Sequence, residues 1–162
     1  MIAKISKTQQ GYMAQFERHL PHPAEEVWTW LTENDKLAQW FPELRAGDLR
    51  KGGFMAFDMQ DGHLEELEIT DFQMGHLLEF NWWAEHVRFE LTEESAGSRL
   101  LMQEKIAHLT DHTPKDLAGW HVCLDVICAL ADGKSVDNRK DEWKFWYEKY
   151  TNAIDEIKPH AT

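Results

Sequence analysis

Between residues 11 and 20 the chain alternates. Tyr12, Ala14, Phe16 and Leu20 share one parity, and Met13, Gln15, Glu17 and His19 share the other. A period of two predicts a half-buried strand. The pattern then lengthens. In PHPAEEVWTWL, Pro23 suits a helix start, Glu25 and Glu26 suit its first turn, and Val27, Leu31 and the tryptophans supply the packing face. A second short helix is expected from Asp35 to Trp40, with Asn34 as its N-cap.

From Glu43 to about His108 the period returns to two. Met55, Phe57 and Met59 fall on one face; Leu78, Phe80 and Trp82 on another; then Val87, Phe89 and Leu91, and finally Leu100, Met102 and Ile106. Gly52-Gly53, Asp61-Gly62, Met74-Gly75 and Ser95 to Ser98 punctuate these runs as turns. About six antiparallel strands with short connections follow, one face apolar and the other charged.

Beyond a loop at residues 108–113, a helix is expected from Pro114, with Thr113 as N-cap, to about Asp132, ending at Gly133. Its segment AGWHVCLDVICALA is apolar nearly all round, broken only by His121 and Asp125. It is too short for a bilayer, which takes about 20 apolar residues. It therefore needs protein on most sides. A last helix, Asp141 to Ile157, repeats Trp143, Trp146, Tyr147, Tyr150 and Ile154 at three- and four-residue steps. The pattern predicts an α+β protein. A curved antiparallel sheet grips a long C-terminal helix, two short helices follow the first strand, and an extra helix covers the back. With 162 residues and no linker or repeat, one domain is expected over residues 1–162, its core at 10–133 and a helical extension at 134–157.

Composition narrows the partners. The net charge is -12, from 29 acidic and 17 basic residues, and that field opposes nucleic acid and anionic membrane surfaces. Cys123 and Cys128, five apart on one helix, point apart and read as reduced thiols. With no signal-like apolar run in MIAKISKTQQ, a cytoplasmic protein is expected.

Six ordered pieces carry a likeness to a known family. They are HPAEEVWTWLTENDKLAQWF, LRKGGFMAFDM, LLEFNWW, GSRLLMQEK, AGWHVCLDVICALADGK and the spacing of Trp143 to Tyr150. Over about residues 10–155 the chain resembles the START-like, helix-grip (SRPBCC) superfamily. Within it, the chain is most similar to the group related to the C-terminal domain of the activator of the heat-shock-protein-ninety ATPase. The resemblance implies a cavity between the long helix and the sheet. It implies no single reaction, since members include lipid carriers, receptors, cyclases and co-chaperone domains.

On that arrangement a ligand would be lined by Phe16, Trp40, Met55, Phe57, Met59, Trp82, Phe89, Met102, Trp120, Leu124 and Cys128. Such a pliable Met- and Trp-rich wall suits a flat or greasy molecule. Two polar features stand out. Glu104 shares the parity of Leu100 and Met102: pointing inward it would be desolvated, with a raised pKa and a proton to exchange, or at a strand end it meets water or pairs with a basic side chain. His121 and Asp125 lie one turn apart on one helix face, either as an oriented base or as a helix-surface hydrogen bond; the family resemblance, with an Asp often at the matching place, implies a structural tie. His19 with His22, and His108 with His112, have chelating spacings but no completing ligand, so no metal and no cofactor is expected. The first expectation is therefore a binding protein for a small hydrophobic or aromatic molecule. A cavity enzyme (cyclase or hydrolase) and a stress-related co-chaperone module are the alternatives. The aromatic face of the last helix also suits a homodimer.

Overall fold

A computed structural model describes residues 2–158. Within them the order is β1 (Lys4–Thr8), β2 (Gly11–Leu20), α1 (Ala24–Thr32), α2 (Asn34–Trp40), β3 (Leu44–Asp48), β4 (Phe54–Asp58), β5 (Leu64–Gln73), β6 (Leu77–Trp82), β7 (Glu85–Glu94), β8 (Gly97–Ile106), α3 (Thr113–Ala131) and α4 (Arg139–Ile157). The strands form one antiparallel sheet in the order β1-β2-β8-β7-β6-β5-β4-β3. The last strand returns beside the first long one. That closure places the segment after β8 where it can cross the inner face.

Register decides which side chains look inward. One row across the sheet reads Ile69, Phe80, Val87, Glu104, Ala14, Ile5. The neighbouring row holds Phe16, Met102, Phe89 and Leu78. Apart from Glu104 these are apolar, and all but Ile5 are buried. α3 lies over them with Leu117, Ala118, Leu124 and Ile127 fully buried. α4 covers the back of α3 through Tyr150 and Ile154, while Trp143, Trp146 and Tyr147 pack half-buried beside them. An oily helix between sheet and helix needs little wet face, which accounts for the nearly unbroken apolar run of α3. No helix of the described residues is long and apolar enough to cross a membrane.

Four local readings change. β1 precedes the expected first strand; its side chains are mostly exposed, so KISKT carries no alternation to read. α4 begins two residues early, at Arg139. Thr113 opens α3 from inside, and its hydroxyl accepts the Thr110 N–H at 2.9 Å while His112 takes the cap position. Asn34 does not cap α2, whose N-cap is Glu33. Instead its Oδ1 accepts the Ala46 N–H at 2.7 Å and its Nδ2 donates to the Ala46 carbonyl at 3.2 Å. The amide clasps the exposed edge strand β3 as a neighbouring strand would. Asn34→Ala should therefore lower stability by about 1 kcal/mol. A denaturant midpoint would register that loss, and an unchanged midpoint would contradict the clasp.

Candidate functional site

The inner face narrows to an aromatic group beneath the first half of α3. Trp120 is buried, and its ring centroid lies 5.1 Å from Trp82, 5.6 Å from Phe41 and 6.0 Å from Phe89. Phe57, half-buried, meets Trp82 at 5.7 Å and Phe41 at 5.9 Å. Most of these pairs are edge-to-face, the arrangement that ring quadrupoles favour. Phe41 was not anticipated. It directly follows Trp40 at the end of α2, where no periodicity assigns a face. Trp40 is buried beside it and donates its Nε1–H to the Trp30 carbonyl at 2.8 Å.

The other expected lining residues fall in several places. Phe16, Met55, Met102 and Leu124 are buried on the inner face or against it. Cys128 is half-buried further along α3, within the field of Arg18, Asp125 and Asp132. Burial raises its thiol to about 11, and raises the Cys123 thiol to about 12. Neither serves as a thiolate at neutral pH. Met59 departs from the expected position. β4 ends at Asp58, the chain turns through Gln60 at positive φ, and Met59 stands 42% exposed in the hairpin.

Glu104 is the polar centre. It is fully buried on β8, and neither carboxyl oxygen has a hydrogen-bond partner. Burial first, then the Asp116 carboxyl on α3 and finally Glu85, push its pKa well above the usual carboxylate range. The shift favours the uncharged acid, which has a proton to give. Asp116 is half-buried and accepts the Trp82 Nε1–H at 3.2 Å. Glu85, at the start of β7, is also half-buried, and burial followed by Asp116 raises its pKa. Asp116 and Trp120 are one turn apart on α3 and share its inner face. The Trp120 Nε1–H is buried and likewise unpartnered. Most buried polar atoms in folded proteins are paired, so such exceptions call for an explanation. Trp146 Nε1 and Asn81 Oδ1 are the remaining unpartnered buried side-chain atoms among the described residues.

His121 and Asp125 belong to a different group. Here His121 is buried rather than on the helix surface, and it stacks on Trp146 at 3.7 Å. The Ala3 N–H donates to the Tyr150 hydroxyl at 2.9 Å, and that hydroxyl donates to His121 Nδ1 at 2.7 Å. The remaining ring N–H, on Nε2, faces Asp125 at 3.4 Å, and Asp125 also accepts from Arg18 Nε at 2.9 Å. Burial first lowers the His121 pKa, so the ring is neutral. The chain of bonds ties the residue before β1 to β2, α3 and α4. Removing the Tyr150 hydroxyl would leave the Ala3 N–H and His121 Nδ1 without it. Tyr150→Phe should cost about 1–3 kcal/mol and speed amide exchange at Ala3. Unchanged exchange there would contradict the tie. Arg18 was legible in principle, since it shares the parity of Phe16 and Leu20.

The histidine spacings resolve into other contacts. His19 pairs with Glu17 and Glu94, and His22 with Glu26 and Asp132. His108 and His112 are exposed in the loop before α3.

Residues 21–132 match the family described as Activator of Hsp90 ATPase homolog 1-like protein. Among solved structures, EF2215 from Enterococcus faecalis, a conserved protein of unknown function, is similar with a TM-score of 0.87. It shares 26% identity over 97% of this chain and 92% of that one. CalU16 from Micromonospora echinospora, in solution, gives 0.72 at 18% identity, over 95% of this chain and 93% of that one. The protein encoded by BPP1335 of Bordetella parapertussis gives 0.70 at 21%, over the full length of both. At these two lower identities the likeness concerns the fold alone. No curated protein matches the chain in sequence.

Proposed function

The chain belongs to the Activator of Hsp90 ATPase homolog 1-like family, and on that premise we propose that it binds a small, flat hydrophobic or aromatic molecule between α3 and the inner face of the sheet. The observation that carries this reading is two buried polar groups without a well-formed hydrogen bond, the Glu104 carboxyl beside Asp116 and the Trp120 indole N–H among the rings of Phe41, Trp82 and Phe89. An uncharged carboxyl and an indole N–H both donate. They suit a guest that carries an acceptor such as a carbonyl or ring nitrogen, while the neighbouring Asp116 and Glu85 carboxyls disfavour an anionic guest. Trp82, Trp120 and Phe89 would supply the apolar contacts. Entry would pass between Glu85 and Asp116, which are half-buried beside Glu104.

The test is a thermal-shift and tryptophan-fluorescence screen with neutral flat aromatics bearing a carbonyl. A ligand at a hundred times its Kd should add about 2.7 kcal/mol of stability, roughly 5–11 °C for a chain of this size. Glu104→Leu should weaken the hit at least tenfold. A panel without any shift, or a hit indifferent to Glu104, would overturn the reading.

A second reading rests on the two carboxyls side by side. Glu104 and Asp116 differ in burial, and unequal carboxyl pairs serve general acid–base chemistry. Turnover of a bound aromatic that is abolished in both Glu104→Gln and Asp116→Asn would favour a cavity enzyme, and binding without turnover would favour the carrier.

A further inference from the structure

Between α3 and α4 lies a groove of about 440 Å³. That volume lies within the range of small-molecule sites, roughly 300–1,000 Å³. Its floor and wall are Gly119, Val122, Cys123 and Trp143, and its rim is Arg139, Lys140 and Lys144. The Trp143 indole is held in place by donating to the Lys115 carbonyl at 3.3 Å. Arg139 is fixed at one end, where it donates to the Trp40 carbonyl at 3.0 Å and contacts Cys123 Sγ at 3.8 Å.

Two independent features mark this groove. The first is charge. In a chain of net charge -12, three cations and no acid line it. None of the three forms an ion pair among the described residues. Of the acids on the same two helices, Asp116 is engaged by Trp82, and Glu142 lines a separate pocket with Val126 and Val136; Asp141 and Glu148 stand three before and four after Lys144 on α4 but form no ion pair with it among the described residues. The second is Gly119. Glycine inside a helix is the poorest common choice after proline, yet nothing here demands it. Its φ is not positive, and an added Cβ would meet only Trp143 Nε1, at 4.0 Å. What the missing side chain does is leave the floor of the groove open.

We infer that this groove binds a free amphipathic carboxylate, its chain or ring over Gly119, Val122 and Trp143 and its anion at the Arg139, Lys140 and Lys144 rim. The inference is independent of the proposed inner site, which repels anions where this groove attracts them. Ligand charge would sort molecules between the two.

Decanoate and 1-decanol are the probes, titrated separately below the micellar range into ¹⁵N-labelled full-length protein. The expected result is binding of decanoate about tenfold tighter than of the alcohol, with shifts centred on the Trp143 indole N–H and the Gly119 amide. Lys140→Gln with Lys144→Gln should remove that tenfold advantage and leave decanol binding unchanged. Gly119→Leu should abolish both. The two lysines are exposed, so the charge variant decides the matter even if the glycine variant fails to fold. Equal affinity for acid and alcohol would overturn the inference. So would shifts centred on the Trp82 and Trp120 indoles, no decanoate binding, or binding confined to anionic vesicles.

Discussion

Glu104→Gln is expected to make the protein more stable, and increasingly so as the pH rises. The folded state holds Glu104 protonated far above its ordinary value of 4.5, because burial and the neighbouring Asp116 carboxyl disfavour its charge. The unfolded chain ionises it freely. Above about pH 4.5 the folded state therefore binds a proton that the unfolded state has released, and stability falls with rising pH. The fall continues until the folded-state pKa is passed. Its slope is up to about 1.4 kcal/mol per pH unit for one proton, or roughly 3–6 °C in Tm for a chain of this size. Glutamine keeps the shape without the titration. The difference between variant and parent should thus be small near pH 4.5 and widen steadily above it. Taking the difference cancels titrating groups that do not face Glu104, such as His121, whose lowered pKa gives a loss of stability towards acid instead; Asp116 and Glu85, which do face it, contribute to the difference. A difference that stays constant from pH 4.5 to pH 8 would show that Glu104 is charged in the folded protein.

Trp120→Ala should be the most damaging single truncation on α3. The side chain is 2% exposed and meets rings from the α2 end, β6 and β7 at once. Truncating a buried tryptophan costs about 3–5 kcal/mol, a large part of the 5–15 kcal/mol that typically separates folded from unfolded. Guanidinium unfolding followed by far-UV dichroism would measure it. The midpoint should drop sharply while the slope is kept. A loss below about 1 kcal/mol would mean that the sheet does not clasp this helix as described. Trp143, half-buried on α4, serves as the contrast, since its truncation removes contacts from only one side of α3.

Much of this was legible in the sequence because strands report their faces by parity. Alternation alone turned Phe16, Phe80, Phe89, Met102 and Glu104 inward, and one uninterrupted register carries that parity across β2, β8, β7 and β6. Parity failed where a strand stops. Met59 lies one residue past the end of β4, so extending the period placed it on a wall that it does not join. β1 was invisible because an edge strand with exposed side chains has no apolar face to repeat. The polar partners were hidden for another reason. Trp82 with Asp116 and His121 with Tyr150 are separated by 34 and 29 positions. No local pattern encodes which long-range donor meets which acceptor; only the closure of the sheet over α3 does. His121 with Asp125 was readable because a helix puts i and i+4 together. The burial of that histidine depended on α4 folding back over it.

The most direct measurement is the carboxyl ¹³C resonance of Glu104, assigned through Glu104→Gln and followed from pH 4 to pH 9. An uncharged acid buried between helix and sheet predicts a resonance that stays at its protonated position through pH 4.5 and titrates only well above it, moving when a neutral aromatic ligand binds. A midpoint near 4.5 would contradict the account, for it would place a charged, hydrated carboxylate where this structure puts an enclosed proton donor.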